Sequence, residues 1–155
     1  MNKIAIVSIG ETTGIMREMM KYKTEADMYN VNSKKTLENA RYYSYDELEV
    51  LADVLEDYDA VIMTARMGSR SGDVLVRLYM MLNNRKICFL IMPFYFEVEK
   101  TLVSRNQVSR IVHEDFEGAI LSQSSILDSA DLEDAFDRFD REMAEMILDF
   151  IPELQ

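Results

Sequence analysis

The chain has 155 residues, of which 48% are hydrophobic and 29% charged, and this composition is typical of one folded domain rather than a disordered chain. A single cysteine excludes an internal disulfide, and a net charge of −11 argues against nucleic acid or an anionic membrane as a partner. No apolar run reaches the ~18 residues of a membrane span and no signal peptide is expected, so the sequence predicts a cytoplasmic protein.

Short apolar runs and helical patterns alternate along the chain. The runs at residues 4–7, 28–31, 59–64, 87–92 and 119–121 predict strands. Between them, apolar residues recur at helical spacing over 15–20, 48–55 and 74–82, and a further helix is predicted within 97–112. Ser44, with Glu47 three residues later, matches a capping box and predicts the start of the second helix.

The clearest helical period lies near the carboxyl end. Its apolar stripe consists of Leu132, Phe136, Phe139, Met143, Met146, Ile147 and Phe150. Strands that are apolar on both faces and separated by helices are typical of a parallel sheet covered on both sides. The sequence therefore predicts a single α/β domain over residues 1–155, with a three-layer, doubly wound and mainly parallel sheet of about five strands.

Two loops that follow predicted strands combine glycine with serine or threonine. Residues 8–14 follow the first strand, residues 65–73 follow the third, and four of the five glycines lie in these loops. Ligands of doubly wound folds bind where strands pass into helices, because free backbone amides and hydroxyls there can hold phosphate. Composition leaves two interpretations open, a phosphate site or tight turns that hold no ligand.

Five sequence elements occur in a characteristic order. The loop at 10–14 is followed by Val-Asn-Ser-Lys at 31–34 and by Thr-Ala-Arg-Met-Gly-Ser-Arg-Ser-Gly-Asp-Val at 64–74. Pro-Phe-Tyr-Phe-Glu occupies 93–97, and Phe136 is followed four residues later by Asp140. In this order the elements resemble the amino-terminal GTPase domain of the tubulin/FtsZ family, from about residue 4 to residue 151.

The resemblance implies a site for GTP or GDP, with any Mg²⁺ arriving on the nucleotide phosphates. Asp140 would accept hydrogen bonds from guanine N1 and N2, Phe136 would stack on the base or wall its pocket, and Glu97 would accept from a ribose hydroxyl. Asn32 lies in the second matching element and Arg70 in the third. The expected phosphate donors are Gly10, Thr12, Thr13, Gly14, Gly68, Ser69, Ser71 and Gly72.

Simpler roles remain open for the three residues assigned to the nucleoside. Asp140 is also explained as one more solvated acid, and Phe136 as part of the core stripe of its helix. Glu97 is also explained as an acid at the start of a helix, where the macrodipole favours negative charge.

Several positions depart from the family pattern. They are Glu11 in the first loop, Arg66, Ser69, Arg70 and Val74 in place of signature glycines, Thr101 in place of an arginine, and Gln123 or Ser124 in place of an asparagine. Because glycine lets backbone approach phosphate closely, these changes should weaken triphosphate binding. Arg66 and Arg70 would either bind phosphate through charge-assisted hydrogen bonds or block the site.

The resemblance also bears on catalysis. In the family, hydrolysis is completed by an acidic loop of the next subunit that follows the final helix of this domain. With the sequence ending at 155, neither that loop nor the C-terminal activation domain is expected, and no catalytic or metal-ligating residue is predicted. We therefore expect a guanine-nucleotide-binding protein with weak or no GTP hydrolysis.

Two other functions are compatible with parts of the same sequence pattern. The alternative is a nucleotide-free module that docks an FtsZ-like partner or forms a homo-oligomer. A dinucleotide-dependent oxidoreductase is disfavoured, because residues 10–14 do not form the G-x-G-x-x-G fingerprint.

Overall fold

The computed structural model describes residues 2–154, and side chains as far as residue 152, so the two ends of the predicted 1–155 domain lie outside the described residues. The strands are β1 (Ile4–Ile9), β2 (Asp27–Asn32), β3 (Arg41–Ser44), β4 (Ala60–Arg66), β5 (Arg85–Ile91) and β6 (Gly118–Leu121). The α-helices are α1 (Thr13–Met19), α2 (Leu48–Leu55), α3 (Arg70–Met81), α4 (Val98–Ser109) and α5 (Leu132–Leu154). Short 3₁₀ turns occupy Gly10–Thr12, Tyr45–Glu47 and Ser124–Asp128.

The six strands form one sheet in the order β3-β2-β1-β4-β5-β6, and every pairing is parallel. The order reverses between β1 and β4, as in doubly wound folds, and this places a crevice beyond the carboxyl ends of those strands. The predicted α/β class and parallel, doubly wound sheet are thus confirmed.

The sheet has six strands where the sequence predicts about five. The additional strand, β3, pairs with β2 at the sheet edge. Its sequence, Arg-Tyr-Tyr-Ser, contains no apolar run, because an edge strand needs little burial and all four residues are partly or fully exposed.

The helices form two layers around the sheet. On one face, α2 and α3 pack on alternate strand residues such as Val7, Val61 and Leu90. On the other face, α1 and α5 pack on the intervening residues, such as Ile6 and Ile62. The alternation arises because successive strand side chains point to opposite sides of the sheet.

The predicted apolar stripe of α5 is only partly correct. Phe139, Met143 and Ile147 are buried, but Leu132, Phe136 and Met146 are 54%, 36% and 37% exposed. The buried stripe instead continues through the following residues: Ala135, Ala144 and Ile151. Helical spacing identifies residues that share a face, but not how far the surface beneath that face extends.

The capping box at the start of the second helix is present. The Glu47 carboxylate accepts the Ser44 amide at 2.9 Å, and the reciprocal contact from the Ser44 side chain is also formed. Within residues 2–154, no helix combines the length and apolar character needed to cross a bilayer.

Candidate functional site

A cleft of ≈ 310 Å³ lies beyond the carboxyl ends of the central strands. Of the residues predicted to bind nucleotide, Ser69, Glu97 and Phe136 line it. The other lining residues are Glu11, Arg66, Met67, Pro93, Phe94, Lys100 and Gln123. The loops that follow β1, β4 and β5 and the first turns of α5 therefore meet at this one edge of the sheet.

Asp140 lies at the inner end of this region, between the first loop and β4. A Cβ added to Gly14 would collide with the Asp140 carboxylate, so the glycine leaves room for this carboxylate to lie directly against α1. Arg66, the last residue of β4, places Nη2 3.6 Å from Asp140 Oδ1, and both side chains are about four-fifths buried. The structure thus brings a carboxylate of α5 to the ends of β1 and β4.

Arg66 has further partners around the Asp140 carboxylate. Its Nη1 donates to Gln123 Oε1 at 2.6 Å, and its guanidinium lies 5.7 Å from the centre of the Phe139 ring. Gln123 is itself fixed, because its Nε2 donates to the Met92 carbonyl at 3.0 Å. Gln123, one of the two candidates for the position of the family's asparagine, is therefore connected to Asp140 through Arg66.

Burial shifts the pKa values of both charged groups, Asp140 and Arg66. Desolvation raises the pKa of Asp140 above its ordinary value of 3.8; Arg66 opposes this rise, while Asp137 and Glu18 add to it. Desolvation also lowers the pKa of Arg66, although Asp140 and Glu11 hold its positive charge in place.

Most polar groups of the first loop are used within the protein. The buried Thr12 hydroxyl donates to the carbonyls of Ile9, at 3.1 Å, and Thr64, at 3.4 Å. Asn32 lies on the neighbouring strand and donates to the Gly10 carbonyl at 3.2 Å. Both predicted site residues therefore hold the loop in place, and Thr13 lies half-buried at the first position of α1.

The second loop is tied to α4 by a residue that the sequence analysis did not identify. Gln107, which is 1% exposed, accepts the Gly68 amide at 2.7 Å. Its Nε2 donates to the Ser69 carbonyl at 2.8 Å and to the Asp73 carboxylate at 3.0 Å. Gly72 lies directly against the same side chain. No local pattern marks Gln107, because its partners lie more than 30 residues earlier in the sequence.

The remaining residues of the second loop lie in different surroundings. The Ser71 hydroxyl donates to the Arg66 carbonyl at 2.9 Å. The Arg70 side chain is exposed and lies over the Tyr45 ring, 4.7 Å from its centre, rather than lining the cleft. α3 begins beside the cleft at Arg70, and no side chain caps its first amides. These amides form the positive end of a 12-residue helix.

Aromatic side chains form the outer wall of the cleft. Phe136 packs edge-on against Phe94 at 6.4 Å between ring centres, and Phe94 stacks on Phe96 at 5.4 Å. Glu97 accepts the Phe94 amide at 3.1 Å and pairs with Lys100 at 3.0 Å. The bond from Lys100 is the main cause of the lowered pKa of Glu97, so Glu97 is ionised and fixed at the start of α4.

Replacing Arg66 with glutamine is expected to raise the pKa of Asp140 further, because desolvation remains while the opposing positive charge is removed. An aspartate whose pKa is higher in the folded state binds more protons there than in the unfolded chain. The free energy of unfolding should therefore fall as the pH rises through the interval above 3.8, and this interval should extend to higher pH in the variant.

The Asp140 carboxyl carbon, followed by NMR titration, measures this shift. Arg138→Gln is the matched control, because among the described residues the ion-pair partner of Arg138 is exposed Asp134 on the same helix. An Asp140 titration that is the same in the Arg66 variant and in the wild type would refute the assigned pairing.

Comparison with known proteins adds one relative and a structural match. No model of a known protein family matches the sequence. An uncharacterized protein of Archaeoglobus fulgidus is 48% identical over an alignment of 165 residues, which covers 100% of this chain and 97% of that protein. An FtsZ mutant of M. jannaschii matches with a TM-score of 0.74 at 16% identity, over 94% of this chain and 55% of that one.

A second solved structure is less similar. A short-chain dehydrogenase/reductase of Veillonella parvula matches with a TM-score of 0.54 at 12% identity, over 79% of this chain and 69% of its own. The present chain thus spans about half the length of the FtsZ chain that it matches. At these identities the two structural likenesses show the fold alone.

Proposed function

This chain belongs to the same family as the uncharacterized Archaeoglobus fulgidus protein and has a tubulin/FtsZ-like fold, and from that premise we propose that its cleft binds a guanine nucleotide weakly, with slow or no hydrolysis. One observation carries the proposal. A carboxylate that is about four-fifths buried, Asp140, lies beside the ends of β1 and β4, next to a cleft that is lined by Glu97 and Phe136.

The base would be recognised at Asp140. A carboxylate accepts hydrogen bonds from guanine N1 and N2, and adenine does not present those two donors together. Arg66 must turn aside for this exchange, and its 3.6 Å contact with Asp140 is a long ion pair that a ligand can replace. Phe136, 36% exposed at the cleft wall, offers a ring face or edge to the purine.

The phosphates would lie towards the first turn of α3. Its uncapped amides and the Ser69 hydroxyl are suitable donors for an anion. The cleft lining is electrostatically balanced, because Arg66 and Lys100 face Glu11 and Glu97. A balanced lining gives little net attraction for a triphosphate, so we infer weak binding.

Slow hydrolysis follows from the same contacts. Glu97 is held by Lys100 and the Phe94 amide, so it is not free to position an attacking water. Glu11 is exposed at the cleft, where its charge would repel a γ-phosphate rather than assist its transfer.

A second function, a nucleotide-free module that docks a protein partner, is favoured by the internal contacts of the site. Arg66 already pairs with Asp140 and donates to Gln123, and Gln107 accepts the Gly68 amide. A site whose polar groups are satisfied by its own side chains gains less from a ligand than one with free donors.

Titration calorimetry with GDP, GTP and ATP in the presence of Mg²⁺ distinguishes the two functions. We expect GDP and GTP to bind with dissociation constants of roughly 0.1–1 mM, and ATP at least about tenfold more weakly, the equivalent of one hydrogen bond. Asp140→Ala should remove the difference between GTP and ATP. Asp137→Ala, at an exposed position of the same helix, should preserve it.

The absence of heat with all three nucleotides at millimolar concentration, together with an unchanged melting temperature, would reject nucleotide binding. That outcome would leave the docking module as the function of this fold. Equal binding of GTP and ATP by the wild type would instead reject the role of Asp140.

A further inference from the structure

The two fully buried side chains of α4 are polar, while three of its apolar side chains are exposed. Ser104 and Gln107, which face the protein, are buried and polar. Val98, Leu102 and Val103 are 64%, 62% and 44% exposed. A helix in the outer layer of a monomeric domain normally shows the opposite arrangement. The exposed apolar side chains of α4 therefore indicate a surface that is covered in the functional state.

The stretch of chain that contains α3 and α4 also carries a net positive charge. Residues 70–113 contain seven Lys or Arg and three Asp or Glu, a net charge of +4 in a chain whose net charge is −11. Arg105 on α4 and Arg110 directly after it are exposed, and neither forms an ion pair within the described residues. A surface that is both apolar and basic fits an acidic, partly apolar partner.

The same helical layer contains an acidic surface at its other edge. α3 contacts both α2 and α4, so the layer runs in the order α2, α3, α4. Residues 45–59, which include α2, contain seven Asp or Glu and no Lys or Arg. Glu49 and Asp53 are exposed on α2, and Val50 between them is 55% exposed.

A twofold axis through α3 would bring the two edges together. We propose that a second copy of this chain docks on the α2–α3–α4 face, with α2 of each protomer against α4 of its partner. The contact is isologous, so each acidic edge meets the basic edge of the partner and the same contact occurs twice in the dimer. Met80 of α3, 55% exposed, would lie near the axis and add apolar area.

The acidic helix α5 is a weaker candidate for the same role. It lies on the opposite face of the sheet, and its acids are interspersed with Arg138 and Arg141. Asp134 is already paired with Arg138 at 3.2 Å. A contact between α4 and α5 would also be heterologous and would lead to open chains of subunits or to rings rather than a closed dimer.

Sedimentation velocity across a concentration series up to about 0.5 mM tests the dimer. We expect a species of twice the 18.0 kDa chain mass, and a weaker dimer at about 0.5 M than at about 0.05 M salt. Arg105→Glu with Arg110→Glu, or Glu49→Lys with Asp53→Lys, should each raise the dissociation constant at least about tenfold.

The chain that carries all four substitutions should dimerise again, because its two edges are complementary with the charges exchanged. Asp134→Lys with Asp137→Lys on α5 is the matched control and should leave the dimer intact. Circular dichroism verifies that each variant is folded.

Three results would overturn the proposal. They are a wild type that remains monomeric throughout the series, a fourfold variant that is folded but monomeric, and a dimer that dissociates in the α5 control. The test is independent of nucleotide binding, because none of the substituted residues lines the cleft.

Discussion

Replacing Gln107 with alanine is expected to lower the free energy of unfolding by about 2–4 kcal/mol, because the change leaves the buried Gly68 amide without its partner and opens a cavity. The Gly68 amide and the Ser69 carbonyl both lose their bond to this side chain. The Asp73 carboxylate also loses the hydrogen bond that Gln107 Nε2 donates to it. Urea denaturation followed by circular dichroism measures the loss.

Asn106→Ala is the control, because Asn106 precedes Gln107 on α4 but is exposed. We expect its effect to stay within about 0.5 kcal/mol. Equal stability of the two variants would mean that Gln107 does not hold the second loop. Hydrogen exchange at Gly68 adds a local readout, since its amide should exchange faster in the Gln107 variant than in the control.

The layers of the fold could be predicted because buried strands are visible in the sequence as continuous apolar runs. β1, β4 and most of β5 are apolar on both faces, and they occupy the centre of the sheet. Continuous apolar strands separated by helices are compatible with few architectures. The edge strand β3 has no such apolar run, because only one side of it is paired and its side chains remain partly exposed.

The candidate site could be predicted in outline but not in its contacts. The glycines point to the two loops and the family resemblance points to Asp140, and the structure brings Asp140 against Gly14 and Arg66. The pairing of Arg66 with Asp140 depends on how α5 lies across the sheet, which no local pattern specifies. The sequence predicts that Arg66, which replaces a glycine, binds phosphate or blocks the site, but it does not reveal Asp140 as its partner.

The contacts of the loop glycines also limit what their presence implies. Gly14 lies against Asp140, and Gly72 lies against Gln107. Close packing of the chain on itself therefore explains both glycines without a ligand. The nucleotide proposal consequently depends on Asp140 and the cleft, and the composition of the loops adds little to it.

The other large effect is expected at Gly118, the first residue of β6. Gly118 has φ of +134°, a backbone conformation that residues with a side chain rarely adopt. An added Cβ would also collide with the Cys88 carbonyl on the paired strand β5. Because this contact is backbone, no rotamer change can relieve it. We expect Gly118→Ala to lower the free energy of unfolding by about 3 kcal/mol or more.

The Gly118 substitution should also affect the candidate site, because the far end of β6 contacts residues of that site. β6 pairs with β5 as far as Leu121, whose carbonyl accepts the Met92 amide at 2.8 Å, and Gln123 then donates to the Met92 carbonyl. A strand displaced at Gly118 should therefore loosen Gln123 and its bond to Arg66.

Urea denaturation measures the stability of the Gly118 variant, and NMR of the Arg66 guanidinium reports the state of the candidate site. Ile120→Ala, at an exposed position of the same strand, should change both measurements little, and a Gly118 variant as stable as this control would contradict the assigned backbone contact.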